Sequence, residues 1–464
     1  MLVITLFFVL FADLILPETK KHWLGVFCCA GLFVSFVIHL FLFRVSGELF
    51  GGMFVQDAFS HLGKALFLII GFSLVVMTRQ YAPKLEHGVG EFYLLLISAV
   101  LGMCVGISSR NLLLIFVALE IITFASYIMT SYLKNDRSSI ESGVKYLIFG
   151  AAASAFGLLG ISLTFGGSGS LDFASIRAIL ETQNSLQPLL IIGFFFILIS
   201  LAFKMAVVPF QIWAPDVYEG SPTPVTAFFS VGSKTAAFII FLRVFYEVFT
   251  PIHETAAIVL ALLSAITLIY ANLAALPQTN IKRLFGYSSI SHAGFLLMGM
   301  SVSNHLGVSY VLFYLISLMV TNLCAFFVIT TQSFYSESDR IVEYEGLVQK
   351  SPFLAICLLI SLLSLTGIPP TSGFIAKLLV IYSAFNEGFA WLALIGIFTA
   401  VLSAFYYLSI VGKMFWGTSR NTSPIATLIP IRIPLYALVI SILVLGIFPG
   451  TILNWCQVAA TSLF

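Results

Sequence analysis

Four charged residues lie deep inside long apolar runs of this chain: Glu120, Lys204, Lys234 and Lys377. If those runs cross a membrane, each charge costs roughly 2.5 kcal/mol or more at the bilayer centre. The proton affinity of a Glu–Lys pair changes as the two groups approach or separate. Burial disfavours their charged forms, whereas pairing stabilises them. The residues therefore predict a proton relay. The alternative is a set of static buried charges that only hold helices together.

Other ionisable residues are weaker candidates for the same chemistry. His292 lies in an apolar run and could carry protons, since the pKa of histidine lies near neutrality; a hydrogen-bonded packing histidine fits equally well. Lys145 is either a surface charge or a member of the relay. Arg243 and Glu247 are four residues apart, which favours a local ion pair. Lys64 lies near the start of its apolar run, from which a lysine can reach the membrane surface.

The amino-acid composition indicates the class of protein that contains these residues. The chain has 464 residues, of which 60% are hydrophobic and 9% charged. Soluble domains carry about 25% charged residues, so the composition predicts a polytopic membrane protein in a lipid bilayer. The formal net charge of +2 comes with no basic cluster that would indicate nucleic acid. The six cysteines form no metal-binding or C-x-x-C spacing, and we expect no metal site or redox cofactor in this chain.

About 20 apolar residues cross a bilayer as one helix. The apolar runs predict an all-α protein of about 14 transmembrane helices. The predicted spans are 2–16, 23–43, 57–77, 91–108, 110–132, 140–165, 188–213, 223–249, 254–275, 284–301, 305–331, 352–384, 389–416 and 434–456. The first run lacks the basic flank and cleavage site of a secretion signal, so we interpret it as a short first span.

Lysine and arginine predict the orientation of these spans. Loops after odd-numbered spans hold 14 basic residues, whereas loops after even-numbered spans hold only Arg44, Arg110 and Arg177. Because cytoplasmic loops carry the excess of positive charge, the odd loops are expected in the cytoplasm. Both termini would then lie on the outer side of the membrane, which we expect to be the inner (cytoplasmic) membrane of a bacterium.

Two spans carry prolines that should break their helices. Pro209 interrupts span seven, and Pro369 with Pro370 interrupts span twelve. Two breaks five spans apart predict an inverted repeat, the arrangement that marks many transport sites. The predicted divisions are an N-terminal three-helix segment (1–90), a first repeat of helices four to eight (91–250), a second repeat of helices nine to thirteen (251–416) and a C-terminal helix fourteen (417–464).

Four segments of the sequence resemble a known family. The main one is FKMAVVPFQIWAPDVYEGSPTPVTAFFSVGSKTAAFIIFLR, residues 203–243. The others are KYLIFGAAASAFGLLGISLTFG (145–166), QTNIKRLFGYSSISHAG (278–294) and LSLTGIPPTSGFIAK (363–377). Together they are similar to the antiporter-like membrane subunits of respiratory complex I, and PDVYEGSPTPV is closest to the subunit N branch of that family.

The resemblance implies a fold, a function and roles for residues. It implies 14 helices in two inverted repeats, with helices seven and twelve broken. It implies a proton-translocating subunit of an NADH:quinone oxidoreductase, with flavin, iron–sulfur clusters and quinone held by partner subunits. The partners would be other membrane and peripheral subunits, including neighbouring antiporter-like ones. The roles implied are a pair of Glu120 with Lys204, a central relay at Lys234 and a terminal site at Lys377 that exchanges protons with the outside.

One departure from the family and two other functions remain open at this point. The family usually has histidine after the first break, where this chain has Gln211, which can orient water but cannot take up a proton near neutral pH. A subunit of a multisubunit cation/proton antiporter or of a membrane-bound hydrogenase is the first alternative. A structural membrane scaffold is the second, and neutral substitution of Lys234 distinguishes it from a transporter.

Overall fold

A computed structural model describes most of the chain. The described residues are 1–43, 45–85, 88–182, 187–302, 304–336, 338–418, 424–425, 427 and 429–464. Two of the loop charges counted for the orientation, Arg44 and Arg420, lie outside these residues.

Twenty helices make up nearly all of the regular structure in the described chain. They are α1 (Leu2–Ile15), α2 (His22–Phe41), α3 (Ala58–Tyr81), α4 (Val89–Ser108), α5 (Leu112–Thr130), α6 (Arg137–Ser168), α7 (Phe173–Glu181), α8 (Gln187–Met205), α9 (Trp213–Gly220), α10 (Thr223–Phe228), α11 (Lys234–Glu247), α12 (His253–Ala275), α13 (Ile281–Met300), α14 (His305–Tyr335), α15 (Leu347–Lys350), α16 (Pro352–Thr366), α17 (Ser372–Asn386), α18 (Ala390–Trp416), α19 (Ile429–Ile447) and α20 (Gly450–Thr461). A small antiparallel hairpin, β1 (Gly47–Leu49) with β2 (Phe54–Gln56), pairs Glu48 with Val55.

The predicted all-α membrane class is confirmed. Eleven helical segments of the described residues are long and apolar enough to cross a membrane. The helices α1, α16 and α17 are apolar but shorter. The total of fourteen spans and the two inverted repeats stay predictions.

Polar caps mark where several of these helices begin. The Asp57 carboxylate accepts from the Ser60 amide at 2.7 Å, and the Ser60 hydroxyl in turn accepts from the Asp57 amide, which forms a capping box for α3. Asn111 and Asn280 cap α5 and α13, each accepting from two backbone amides. These side chains satisfy amide donors that the first helical turn leaves free.

Both predicted breaks are confirmed. The helix of span seven ends at Met205 and resumes at Trp213, and that of span twelve ends at Thr366 and resumes at Ser372. A third irregularity was not predicted: a π-helical turn, Phe229–Ser233, separates α10 from α11 within span eight. Such turns are rare and occur often at functional sites.

Two further regions differ from the sequence prediction. The last predicted span, 434–456, is two helices, because α19 ends at Ile447 and α20 begins after Pro449, a residue without an amide donor. The loop after span six contains the extra amphipathic helix α7. The turn before it begins at Gly169, which follows the end of α6 and has a φ of +66°.

Some of the apolar helices lie in the interior of the bundle and not at its outer surface. The apolar windows of α10–α11 and of α14 are entirely buried, although their composition would suit a lipid-facing helix. α14 packs against α3, α13, α16, α17, α19 and α20. Large apolar side chains such as Phe41 (83% exposed) and Leu14 (74% exposed) cover the outside instead. The exterior is therefore suited to lipid, and polar groups are concentrated inside.

Candidate functional site: a buried chain of ionisable groups

The first part of the site is an ion pair between α5 and α8. Lys204 Nζ lies 3.7 Å from Glu120 Oε1. The lysine side chain is 6% exposed and the glutamate side chain 17%. Lys204 Nζ also donates to the Thr123 hydroxyl, and Ser154 of α6 donates to Glu120 Oε1 at 2.6 Å. Three helices therefore meet at this pair, and its two charges are satisfied by side chains that the sequence reasoning did not identify.

The second part is Lys234, the first residue of α11 after the π-helical turn. Its side chain is buried, and Nζ donates to the Ser289 carbonyl oxygen at 2.7 Å and to the Ser289 hydroxyl. The Ser289 Oγ also lies 2.9 Å from the Tyr218 hydroxyl of α9. A neutral hydroxyl and a carbonyl therefore hold this lysine, whereas Glu247, the carboxylate of the same helix, binds Arg243.

The third part is Lys377, in α17 beyond the second break. Its Nζ donates to the carbonyl oxygens of Leu365 (2.7 Å) and Thr366 (3.0 Å), the last residues of α16. The final carbonyls of a helix have no partner within it and carry a partial negative charge. The break thus supplies the acceptors for the lysine. The Phe295 ring lies 5.2 Å from the same ammonium.

His292 lies among hydrogen-bonding groups between Lys234 and Lys377. Its Nδ1 is 2.8 Å from the Tyr314 hydroxyl and its Nε2 is 3.4 Å from the Tyr407 hydroxyl. The Tyr407 hydroxyl also bonds to the Ser288 hydroxyl. Because Ser288 adjoins the Ser289 that binds Lys234, hydroxyl and imidazole groups follow one another from the second lysine towards the third.

A small cavity continues this series to Lys377. It has a volume of about 10 Å³ and is lined by His292, Tyr314, Ser364 and Lys377, among others. One water needs roughly 10–15 Å³ and two to four polar partners. The volume is at the lower limit for one water, and the four residues named are polar. A single water there can therefore join His292 and Tyr314 to Lys377.

An aromatic cluster occupies the space between the first and second lysines. The Tyr146 ring lies 4.6 Å from the Trp213 ring and 5.2 Å from the Phe229 ring, measured between centroids. Gln211, which follows the first break, is buried, and its Oε1 accepts no hydrogen bond from the described residues. A buried amide oxygen without a partner is a position where a water molecule would bind.

Lys145 is part of an ion-pair cluster near the surface. Its Nζ is 2.7 Å from Glu141 and 2.8 Å from Asp216, and its side chain is 40% exposed. Arg283 binds the other oxygen of Asp216 at 2.8 Å. The structure therefore brings Lys145 to the second half of the broken helix, α9, and away from the deep pair of Glu120 and Lys204.

A second ionic cluster lies at the end of the bundle that carries the hairpin. Arg243 is fully buried; it forms the predicted bond to Glu247 (2.6 Å) and also binds Asp57 at 2.8 and 3.0 Å. Arg110 binds Glu247 at 2.8 Å and Glu48 at 3.1 Å. Burial raises the pKa of Asp57, but the Arg243 guanidinium and hydrogen bonds from Ser60 outweigh it, so the pKa lies below its ordinary value.

The described residues contain no group of three or more histidine, cysteine, aspartate or glutamate side chains that could hold a metal ion. All six cysteines are free thiols. Sequence reasoning missed the hydroxyl groups that connect the site: Thr123, Ser154, Tyr218, Ser288, Ser289, Tyr314 and Tyr407. Tyrosine in an apolar span is a signal that could have found some of them, since a buried hydroxyl requires a partner.

Comparison with known proteins identifies the class to which this fold and site belong. Residues 109–403 match the family described as "NADH:quinone oxidoreductase/Mrp antiporter, TM". The chain belongs to this family of membrane subunits.

Individual relatives and solved structures are similar to this chain over nearly its whole length. The chain is 36% identical over 454 residues to NADH-quinone oxidoreductase subunit N of Moorella thermoacetica, covering 97% of this chain and 94% of the relative. It is similar to a chain of respiratory complex I from Thermus thermophilus, with a TM-score of 0.83, 30% identity and coverage of 98% and 97%. A chain of the Mrp complex from Dietzia sp. DQ12-45-1b has a TM-score of 0.89 at 20% identity, with coverage of 100% and 96%, which shows a common fold alone.

Proposed function

We propose that this chain is the proton-translocating N-type membrane subunit of an NADH:quinone oxidoreductase. The observation that carries the proposal is the buried series from Glu120 and Lys204 through Lys234 and His292 to Lys377. Ionisable side chains in a membrane interior are costly and mark proton or ion pathways by default. The high coverage of subunit N relatives at 36% identity supports this assignment over a cation/proton antiporter.

The relay would work by opening and closing polar contacts. When Glu120 approaches Lys204, the pair holds the lysine ammonium; when they separate, the proton can move on. Lys234 would receive it and pass it through Ser289, Ser288 and Tyr407 to His292, and Lys377 would release it to the outer side. Hydroxyl and imidazole groups suit this role, because each can donate one hydrogen bond while it accepts another.

The pairing of two breaks supports the inverted repeat as part of the same proposal. Lys204 and Lys377 each lie beside one break, and the breaks are five predicted spans apart; an odd number of spans gives the halves 91–250 and 251–416 opposite orientations in the membrane. Residues 1–90 would form an added three-helix segment and 417–464 a C-terminal helical segment.

The chain would act within an assembly in the bacterial inner membrane, with both termini on the periplasmic side. Neighbouring antiporter-like subunits and the peripheral arm would be its partners. Flavin, iron–sulfur clusters and quinone would belong to those partners, and their redox or conformational changes would drive the relay. Lys145 and its partners Glu141 and Asp216 would lie on the cytoplasmic side, where protons enter.

Donor-driven proton uptake by inverted membrane vesicles tests the proposal. The variant is Lys234→Met, and the matched control is Lys134→Met, which removes the same charge from an exposed surface position. Electron-transfer rate and assembly of the complex are measured in parallel. We expect Lys234→Met to assemble but to take up fewer protons per electron, and Lys134→Met to behave as wild type. If an assembled Lys234→Met complex takes up as many protons per electron as wild type, the relay is refuted and only a scaffold role remains for this chain.

A further inference from the structure

A groove on the outside of the bundle shares no lining residue with the relay and has a charge at one end. It is formed by the first four helices at the end that carries the hairpin, it opens to the surface, and its volume is about 300 Å³. This is at the lower limit of sites that hold small ligands, roughly 300–1,000 Å³. Its walls are mainly apolar, with Leu42, Leu101 and Val105 among the lining residues.

Lys64 is the one charged side chain among the described residues that line this groove. The carboxylate closest to it in sequence, Asp57, is bound by Arg243 through both oxygens, at 2.8 and 3.0 Å. Nε2 of His39, which also lines the groove, is hydrogen-bonded to the His61 carbonyl oxygen at 3.0 Å. The Lys64 ammonium is left with a contact to the Phe54 ring, 4.8 Å from its centroid. A partly buried cation in this setting attracts an anion.

The position of the ammonium fits the depth of lipid phosphates. Lys64 lies in the second turn of α3, but Phe54 belongs to the hairpin before that helix begins. The side chain therefore extends from the apolar part of the helix back towards the membrane surface, as interfacial lysines do. The apolar walls continue from there along α2 and α4, and exposed side chains such as Leu42 (43% exposed) border them. This pattern, a cation at the surface above an apolar channel, matches one phospholipid molecule standing parallel to the helices.

We propose that this groove, the Lys64 groove, binds an anionic phospholipid, with the phosphate on Lys64 and an acyl chain against Leu42, Leu101 and Val105. The inference does not depend on the proton relay. A side chain of a neighbouring subunit could fill the groove instead, but it would have to bring a carboxylate to the lipid-facing surface at this depth, which is costly in hydrocarbon. A lipid headgroup meets the lysine without that cost.

Photo-crosslinking in the assembled complex tests the proposal. The delipidated complex is placed in phosphatidylcholine nanodiscs that contain a trace of phosphatidylglycerol with a diazirine on its acyl chain. Crosslinked peptides are then identified by mass spectrometry. We expect labelling at 38–42 and 101–105, about fivefold stronger than with the corresponding phosphatidylcholine probe, which is the preference that one interfacial lysine provides. Equal labelling by the two probes would overturn the proposal without any substitution.

Variants show whether Lys64 causes the preference. Lys64→Gln should reduce the phosphatidylglycerol labelling to the phosphatidylcholine level, whereas Lys64→Arg should retain it. The matched control is Arg177→Gln, which removes an exposed charge on the same predicted side, in α7, and should leave the labelling unchanged. Labelling that persists in Lys64→Gln, or crosslinks that join the groove to a neighbouring subunit in place of lipid, would refute the lipid site.

Discussion

The pair of Glu120 and Lys204 allows a structural role to be separated from a relay role. At 3.7 Å and an effective dielectric constant of about 20, the attraction between the two charges is about 4.5 kcal/mol. Removing one partner leaves the other charge buried and uncompensated, which typically costs about 3–5 kcal/mol. Replacing both by neutral side chains, as in Glu120→Gln with Lys204→Met, removes that penalty.

The expected results follow from these magnitudes. The unfolding entropy of a 464-residue chain is about 1 kcal/mol per degree, so Glu120→Gln or Lys204→Met alone should lower the temperature of half-inactivation by about 4 °C. The double variant should recover most of this loss. Proton uptake per electron should remain impaired in all three variants, because no group is left to take up the proton.

The assay compares heat resistance of the assembled complex at a fixed heating rate with donor-driven proton uptake in inverted vesicles. Thr19→Val, an exposed residue outside the bundle core, serves as a control for unrelated substitutions. If the double variant recovers both heat resistance and proton uptake, the pair is a static tie between α5 and α8, and the relay reasoning is refuted for these residues.

Two further predictions concern other parts of the polar interior. Ser289→Ala removes the hydroxyl that contacts Lys234 and Tyr218. We expect proton uptake to become about 5- to 30-fold slower, as loss of about one or two kcal/mol would make it. Ser289→Thr keeps the hydroxyl and should keep the rate, and stopped-flow measurement of pH in vesicles checks both variants. Asp57→Asn leaves the buried Arg243 with one carboxylate fewer and should lower heat resistance. Because the folded pKa of Asp57 is lowered, its contribution is present above the unfolded value of about 3.9 and is lost as pH falls through the folded value. Heat inactivation measured from pH 7 down to pH 3 should therefore show the gap between wild type and Asp57→Asn closing only at the acid end; a gap independent of pH would contradict the role of this carboxylate.

The sequence predicted the parts of the fold that follow from apolar length and from proline. The breaks beside Lys204 and Lys377 were predicted because proline lacks an amide donor and clashes with the preceding turn. The π-helical turn before Lys234 was not, since it adds one residue to a helix without any proline at that place. The division of the last span at Pro449 was missed because the apolar composition continues across it.

The candidate site could be predicted as residues but not as a connected path. Rarity of charge in apolar runs was enough to identify Glu120 and the three lysines. The hydroxyl groups that join them, such as Ser289 and Tyr407, are ordinary side chains for a membrane helix, and only the packing of distant helices brings them together. The same applies to Lys64, whose groove exists because α1 to α4 leave a space beside it.

The central claim is that protons cross the membrane through this chain along one series of groups. The most direct measurement is the number of protons moved per electron by the purified complex in liposomes, for Lys204→Met, Lys234→Met and Lys377→Met singly and together. A series relay predicts that each single variant lowers the ratio by the same amount and that the triple variant lowers it no further. A ratio that is unchanged in the triple variant, or that falls in separate additive steps, would contradict the account.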